Sequence, residues 1–251
     1  MSSNIELGIK LEKEGLYKEA IAEYDKAALE EPKNKEPHIL KGNLLEEVGD
    51  YSNALAAYNK AILLDNQDAE VFSSRGDVLA TLERFDEAIK DFSQAIFINK
   101  EDVNAYYNRG LIYAKIDQKQ KALQDFTSAI SLNPNHGSAY NNRGLLFHKL
   151  GNYQGAIADF TEAIKVRQGF ACSFTHRGRV QEALKNSDMA IADYTLALEI
   201  NPTDATALYF RGALYLATNE KGKGLKDFEL LIKTAPQDNH YRSLALKFEK
   251  T

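Results

Sequence analysis

Apolar and small residues recur along this chain on one fixed period. Counted from Met1, the 251 residues divide into seven blocks of 34 ending at Asp238, with no insertion, and a short remainder follows. Within a block, positions 3, 4, 7, 8, 10, 11 and 14 are apolar, aromatic or small, apart from a basic residue usually at 7. Block four shows this with Ala105, Tyr106, Gly110, Ile112, Tyr113 and Ile116, the spacing of one face of a 3.6-residue helix. Positions 20, 21, 24, 27 and 28 form a second such stripe, as in Ala156, Ile157, Phe160, Ala163 and Ile164. A turn such as Leu150-Gly151-Asn152 separates the two, short enough only for an antiparallel hairpin. Self-similarity over seven copies predicts a solenoid of helix pairs.

Three positions carry the steric logic. Position 8 is Gly8, Gly42, Gly76, Gly110, Gly144, Gly178 and Gly212; position 20 is alanine in six blocks and Gly224 in the last; position 24 is always Tyr or Phe. Glycine inside a helix costs about 1 kcal/mol relative to alanine, so its recurrence points to close backbone approach, with the ring filling the space beside it. Pro32, Pro134, Pro202 and Pro236 stop the second helix. Asn66, Lys100 and Gln168 stand there in the other blocks, which predicts less sharply specified junctions. Arg75, Arg109, Arg143, Arg177 and Arg211 hold position 7 wherever position 23 holds Asp91, Asp125, Asp159, Asp193 or Asp227. Arg–Asp pairing inside the stack is expected, since a buried unpaired arginine is too costly.

Small at 8, Ala at 20, aromatic at 24, Ala at 27 and Pro at 32 resemble the tetratricopeptide repeat, here of an Arg-Gly kind. The resemblance divides the chain into repeats 1–34, 35–68, 69–102, 103–136, 137–170, 171–204 and 205–238. It implies an all-α, right-handed superhelical solenoid with first helices lining a concave groove. The usual Trp at position 4 is replaced by Phe72, Tyr106, Tyr140, Phe174 and Leu208, and the first two blocks place Asn4 and His38 there. Residues 239–251 carry Tyr241, Leu244, Ala245 and Phe248 at helical spacing and read as a capping helix.

Composition narrows the function classes. A net charge of −5 and a pI near 5.6 argue against nucleic acid as the partner. Cys172 is the one cysteine, which fits a reducing compartment; no apolar run has signal-peptide or membrane-spanning length. A cytoplasmic protein is the expectation. No phosphate loop, paired-Cys spacing or His-Glu zinc motif occurs. His38, His136, His148, His176 and His240 fall at different repeat positions, and Cys172 with His176 lacks an oxyanion hole. Catalysis, a metal and a cofactor are therefore not expected.

What remains is the unpacked face of the first helices, positions 2, 5, 9, 12 and 13, about 140° around from the buried stripe. In the first three blocks it offers Ile5, Ile9 and Ile39 rimmed by Glu12, Glu36, Glu46, Glu47, Glu70 and Asp77, which suits a basic amphipathic segment. In blocks four to six it offers Tyr107, Asn141, His148, Lys115, Lys149 and Arg179, with Asn108 and Asn142 beside them at position 6. Those two amides either hold an extended peptide backbone or stabilise the stack. The clamp by which chaperone-binding relatives grip a terminal carboxylate is not reproduced, since Ile5, Ile9, Leu40, Glu70 and Ser74 occupy its sites. On the outer face Leu29, Leu63 and Phe97 recur at position 29 as an apolar patch. The expected function is a non-catalytic scaffold that binds a protein or peptide in its groove. The alternative is a self-assembling structural module that forms dimers or higher homo-oligomers through the groove and such outer-face patches.

Overall fold

A computed structural model describes residues 3–166 and 171–248, and the described residues form helices joined by short turns, without a strand. Internal contacts group the chain into two compact units, residues 1–132 and 133–251. The first unit contains α1 (Ser3–Lys13), α2 (Tyr17–Glu30), α3 (Glu36–Glu47), α4 (Tyr51–Leu64), α5 (Ala69–Thr81), α6 (Phe85–Ile98), α7 (Val103–Lys115) and α8 (Lys119–Leu132). The second contains α9 (Gly137–Lys149), α10 (Tyr153–Val166), α11 (Ala171–Ala183), α12 (Ser187–Ile200), α13 (Ala205–Ala217), α14 (Lys221–Thr234) and α15 (His240–Phe248). Each odd-numbered helix up to α13 packs along the even-numbered helix that follows it, and α15 packs on α13 and α14.

The ring at position 24 lies directly on the glycine at position 8. A Cβ at Gly8 would stand 2.5 Å from Cε1 of Tyr24, and one at Gly144 would stand 2.9 Å from Cε1 of Phe160. No side chain fits there, which accounts for a glycine that helix propensity disfavours. Alanines at 20 and 27 are fully buried beside the ring, as are Ala156 and Ala163 beside Phe160. In the last pair the backbones themselves meet: a Cβ at Gly224 would fall 2.6 Å from the carbonyl oxygen of Gly212. Apolar contacts then continue from one pair to the next, as where Phe92 and Ala95 share a cluster with Ala105 and Ile112.

The hairpin turn is built identically each time. Position 15 is left-handed in all seven pairs: Gly15, Gly49 and Gly151, but also Glu83, Asp117, Lys185 (φ 63°) and Asn219. The flanking amides close the helix end in a Schellman pattern, Gly15 N donating to Glu12 O (2.9 Å) and Leu16 N to Leu11 O (2.9 Å). Four residues with a Cβ therefore hold a conformation that glycine takes without strain.

The second helices without a proline after them end as sharply as those with one, contrary to the sequence expectation. α4 and α6 stop at Leu64 and Ile98, the same repeat position at which α2, α8, α12 and α14 stop. Aspartate and asparagine side chains close these junctions, as Asn133 and Asn201 also do beside Pro134 and Pro202. Asp65 accepts from Gln67 N (2.9 Å) and Asn99 from Glu101 N (3.0 Å), while Asp68 and Asp102 cap the helices that follow. Gln168, at the third such junction, lies outside the described residues, as do residues 249–251 of the expected capping segment.

The arginines at position 7 pair with the aspartates at 23 as the sequence implies, and they do more. Arg75 Nε and Nη2 each reach Asp91 at 2.7 Å, and Arg109, Arg143, Arg177 and Arg211 grip their aspartates in the same forked way. The remaining amino group turns to the preceding pair. Nη1 of Arg75 donates to Asn59 (2.6 Å), that of Arg109 to Ser93 (2.9 Å), that of Arg177 to Thr161 (3.0 Å) and that of Arg211 to Thr195 (3.1 Å). Every acceptor occupies position 25. Block two, with Lys41 and Ala57, keeps only this second link, Lys41 Nζ lying 2.6 Å from Asp25. One side chain thus joins its own hairpin to the previous one.

Two substitutions test the glycine logic in opposite senses. Gly144→Ala is expected to destabilise by about 1–3 kcal/mol, because overpacking against Phe160 exceeds the propensity gain. Lys185→Gly is expected to stabilise by a few tenths to about 1 kcal/mol by relieving the left-handed turn. Chemical denaturation midpoints measure both.

Candidate functional site

Within each unit successive first helices touch one another, α3 with α5, α5 with α7, α9 with α11 and α11 with α13. Second helices make no comparable contact among the described residues. The first-helix side is therefore the inside of the curve in each unit, and the candidate residues fall on or beneath it.

Two of the expected groove residues are buried, which corrects two assignments. Ile5 is fully buried and Asn141 is buried, so neither lines an open groove. Asn141 Oδ1 instead accepts from Ser173 Oγ (3.0 Å) on the next first helix and sits 3.0 Å from Nδ1 of His176. Ile9 and Ile39 are half-buried, packed against the clusters around Tyr24 and Tyr58. The expected open isoleucine surface is thus consumed by packing, because adjacent first helices approach closely enough to cover it. The acidic rim persists, with Glu47 and Glu70 exposed.

Glu46 has a task that the sequence reading missed. It accepts the hydroxyl of the buried Tyr58 at 2.9 Å, and Glu182 does the same for Tyr194 at 2.9 Å. Glu12 receives Tyr24 in the same way. Position 12 is glutamate in the three blocks whose position 24 is tyrosine; in the phenylalanine blocks it is Ala80, Ala114, His148 and Leu216. That correlation was legible in the sequence. Burial, followed by the neighbouring carboxylate, pushes each of these phenols well above its ordinary pKa.

Asn108 and Asn142 do not act alike. Asn108 Nδ2 donates to Asp77 Oδ1 on the preceding first helix (2.7 Å), whereas Asn142 Nδ2 donates to the carbonyl of Ser138 in its own helix (2.9 Å). Asp77 is half-buried, and its pKa is pushed up to about 6 by burial and then by the charge of Glu46, against the pull of the Asn108 hydrogen bond. Asp77 and Asn108 line a cavity of about 340 Å³ between α5 and α7, with Ala80, Thr81, Phe85, Leu111, Ile112 and Lys115. A second hollow of about 530 Å³ extends from Asp77 toward Glu70, Ser73, Glu101 and Asp102. Lys115 lies 2.9 Å from Glu83 and 4.7 Å above the Phe85 ring, and Tyr107 packs on Phe126 with ring centroids 5.9 Å apart. Both are thus tied to the protein itself.

In the second unit Lys149 is exposed and His148 half-buried, 5.9 Å from the Tyr153 ring. Burial and then the charge of Arg179 lower the His148 pKa, and the same two causes push that of His176 down to about 4. Both histidines are neutral at pH 7. Arg179 stands 4.7 Å over the Phe210 ring. Phe210 belongs to an aromatic group with Tyr209 and Tyr241, at centroid distances of 5.4 and 5.6 Å, which the sequence reading did not single out although Tyr209 and Phe210 are adjacent in it. Burial raises the thiol pKa of Cys172, the opposite of what a nucleophilic cysteine needs.

Leu29, Leu63 and Phe97 stand in solvent on α2, α4 and α6, 82%, 80% and 73% exposed. Among the described residues no three His, Cys, Asp or Glu side chains form a metal-sized group, and no helix is long and apolar enough to cross a membrane.

The comparisons agree with this architecture. Residues 103–136 and 137–170 match the tetratricopeptide repeat, as do 173–204, and 42–82 and 76–117 match a TPR repeat description. Together these matches span well over half of the chain. Among solved structures, YrrB, described as a TPR protein with an unusual peptide-binding site, is 28% identical. It aligns with 75% of this chain and 97% of its own at a TM-score of 0.66. MamA is 26% identical over 66% of this chain and 95% of its own, with a TM-score of 0.62. A tetratricopeptide repeat protein from Parabacteroides merdae, 21% identical, shares the fold over 99% of this chain and 98% of its own at a TM-score of 0.70. No curated protein sequence matches the chain significantly.

Two tests follow from this geometry. Glu182→Ala should cost about 1–2 kcal/mol by stranding the Tyr194 hydroxyl. Adding Tyr194→Phe should recover much of that loss, because the pair then resembles Ala80 with Phe92; a double-mutant cycle measures the coupling. Asp77 has a folded-state pKa above its unfolded value, so the native state binds the extra proton, and stability declines as pH rises from about 4 through about 6. Asp77→Asn keeps an acceptor for Asn108 and removes that decline. It is expected to exceed the wild type by on the order of 1 kcal/mol at pH 7, with the difference vanishing below pH 4.

Proposed function

The chain belongs to the tetratricopeptide repeat family, and on that premise we propose that it is a non-catalytic interaction scaffold holding an extended partner segment along its first-helix face. The cavity between α5 and α7 carries the reading. Its apolar lining from Ala80, Phe85 and Leu111 lies beside a hydrogen-bonded Asp77–Asn108 pair, the mixture of apolar contact and fixed polar groups that suits a peptide. YrrB, described as a TPR protein with an unusual peptide-binding site, supports a peptide as the kind of partner. Exposed Glu47 and Glu70, with Glu101 and Asp102 beyond them, favour a segment rich in Lys or Arg in this unit.

A second reading rests on Leu29, Leu63 and Phe97, three large exposed apolar side chains at one repeat position. Through them the protein would associate with a second copy. Sedimentation above the 28.1 kDa monomer mass, reversed by Phe97→Glu, is its expected signature. A monomer at high concentration removes it.

Leu111 is exposed enough to be changed without disturbing the core, so Leu111→Arg tests the scaffold reading. Affinity capture with mass spectrometry should recover a partner with the wild type and lose it at least tenfold with the variant at equal melting temperature. Glu47→Lys with Glu70→Lys should weaken the same partner comparably, and added salt should weaken it in the wild type. Equal capture by the wild type and both variants would refute the assignment of this face.

A further inference from the structure

Among the described residues, Arg179 is the arginine with neither a salt bridge nor a hydrogen bond. The five arginines of position 7 hold aspartates, Arg84 holds Glu87, and Arg242 donates to the carbonyl of Ile232. Arg179 rests instead on the face of Phe210, half-buried on the inside of the second unit. No carboxylate pairs with it. Glu182 and Asp204 keep their charges, but their oxygens turn to the Tyr194 hydroxyl and to the amides of Thr206 and Ala207 at the start of α13, and neither forms a salt bridge with Arg179. His148 and His176, from α9 and α11, and the Tyr194 phenol on α12 are the other titratable neighbours that feel its charge, and all three are neutral at pH 7.

A half-buried guanidinium that makes no salt bridge or hydrogen bond has donors to spare, whereas each of the other described arginines uses its own. The ring beneath fixes the plane of the fork and leaves its edge available for a carboxylate. Tyr209 and Tyr241 extend the aromatic surface away from Phe210, which gives an adjacent apolar side chain a place to lie.

We propose that Arg179 is the anchor of a second specificity site, which takes an Asp or Glu side chain of an extended partner segment and seats a neighbouring aromatic or aliphatic residue on Phe210, Tyr209 and Tyr241. The inference rests on the scaffold reading and gives the second unit a preference opposite to that of the acidic face of the first. A forked carboxylate–guanidinium pair replaces an unpaired charge here, so the acidic residue contributes both affinity and register.

The test is a random dodecapeptide display library selected against the full-length protein and against Arg179→Gln. Wild-type selections are expected to enrich Asp or Glu within two residues of an aromatic or Leu. A synthetic peptide of the selected sequence should bind at least tenfold more weakly to Arg179→Gln, and as weakly when its own acid is made the amide. Combining the two changes should give no further loss, and the melting temperature of the variant should stay within about 2 °C of the wild type. Selected peptides without acidic enrichment, or with equal affinity for Arg179→Gln, would overturn this site and leave the scaffold reading intact. Failure of both proteins to select any peptide would overturn both.

Discussion

The contact between the ring at position 24 and the glycine at position 8 sets the distance between the two helices of every hairpin, and the other packing follows from that distance. The ring can lie flat on the facing backbone only because no Cβ stands between them. Alanines at 20 and 27 then meet the opposite helix without a gap, since a larger side chain would push the pair apart. Because the same residues recur at the same positions, the hairpins are near copies, and each presents the next with the same surface.

Position 7 turns that repetition into cohesion. Its guanidinium uses two nitrogens within its own hairpin and a third on the hairpin before. A carboxylate buried like Asp91 would be costly alone, and the fork satisfies it with two charge-assisted hydrogen bonds. Such pairs contribute little beyond what apolar residues of equal size would give. What they add is register: an arginine that must meet an aspartate and a position-25 acceptor at once permits one stacking geometry.

With packing and cohesion assigned to positions 7, 8, 20, 24 and 27, the inside of each unit is left to carry chemistry, and the two units carry different chemistry. In the first, Asp77 stands partly desolvated among other acids. In the second, Arg179 lies on an aromatic ring without an acidic partner. The structural residues repeat and these do not, which is the pattern expected when a uniform scaffold supports unlike binding positions.

The sequence alone determined the helix pairs, their period, the steric role of glycine 8 and the Arg–Asp pairing, because each depends on contacts at fixed separations within one repeat. It also contained the tyrosine–glutamate correlation, which becomes visible once positions 12 and 24 are read together. Tertiary structure alone decided how much of the first-helix face remained open. A helical wheel treats each helix separately and placed Ile5 and Asn141 on the free side. Both are buried in the folded chain, Asn141 against Ser173 and His176 of the next first helix, and only the stacked structure contains such neighbours. The same holds for charge. The sequence shows that Arg109 and Arg179 are both arginines, but whether an aspartate lies within reach is a matter of distance in space, and that distance makes one of them scaffold and leaves the other unpaired.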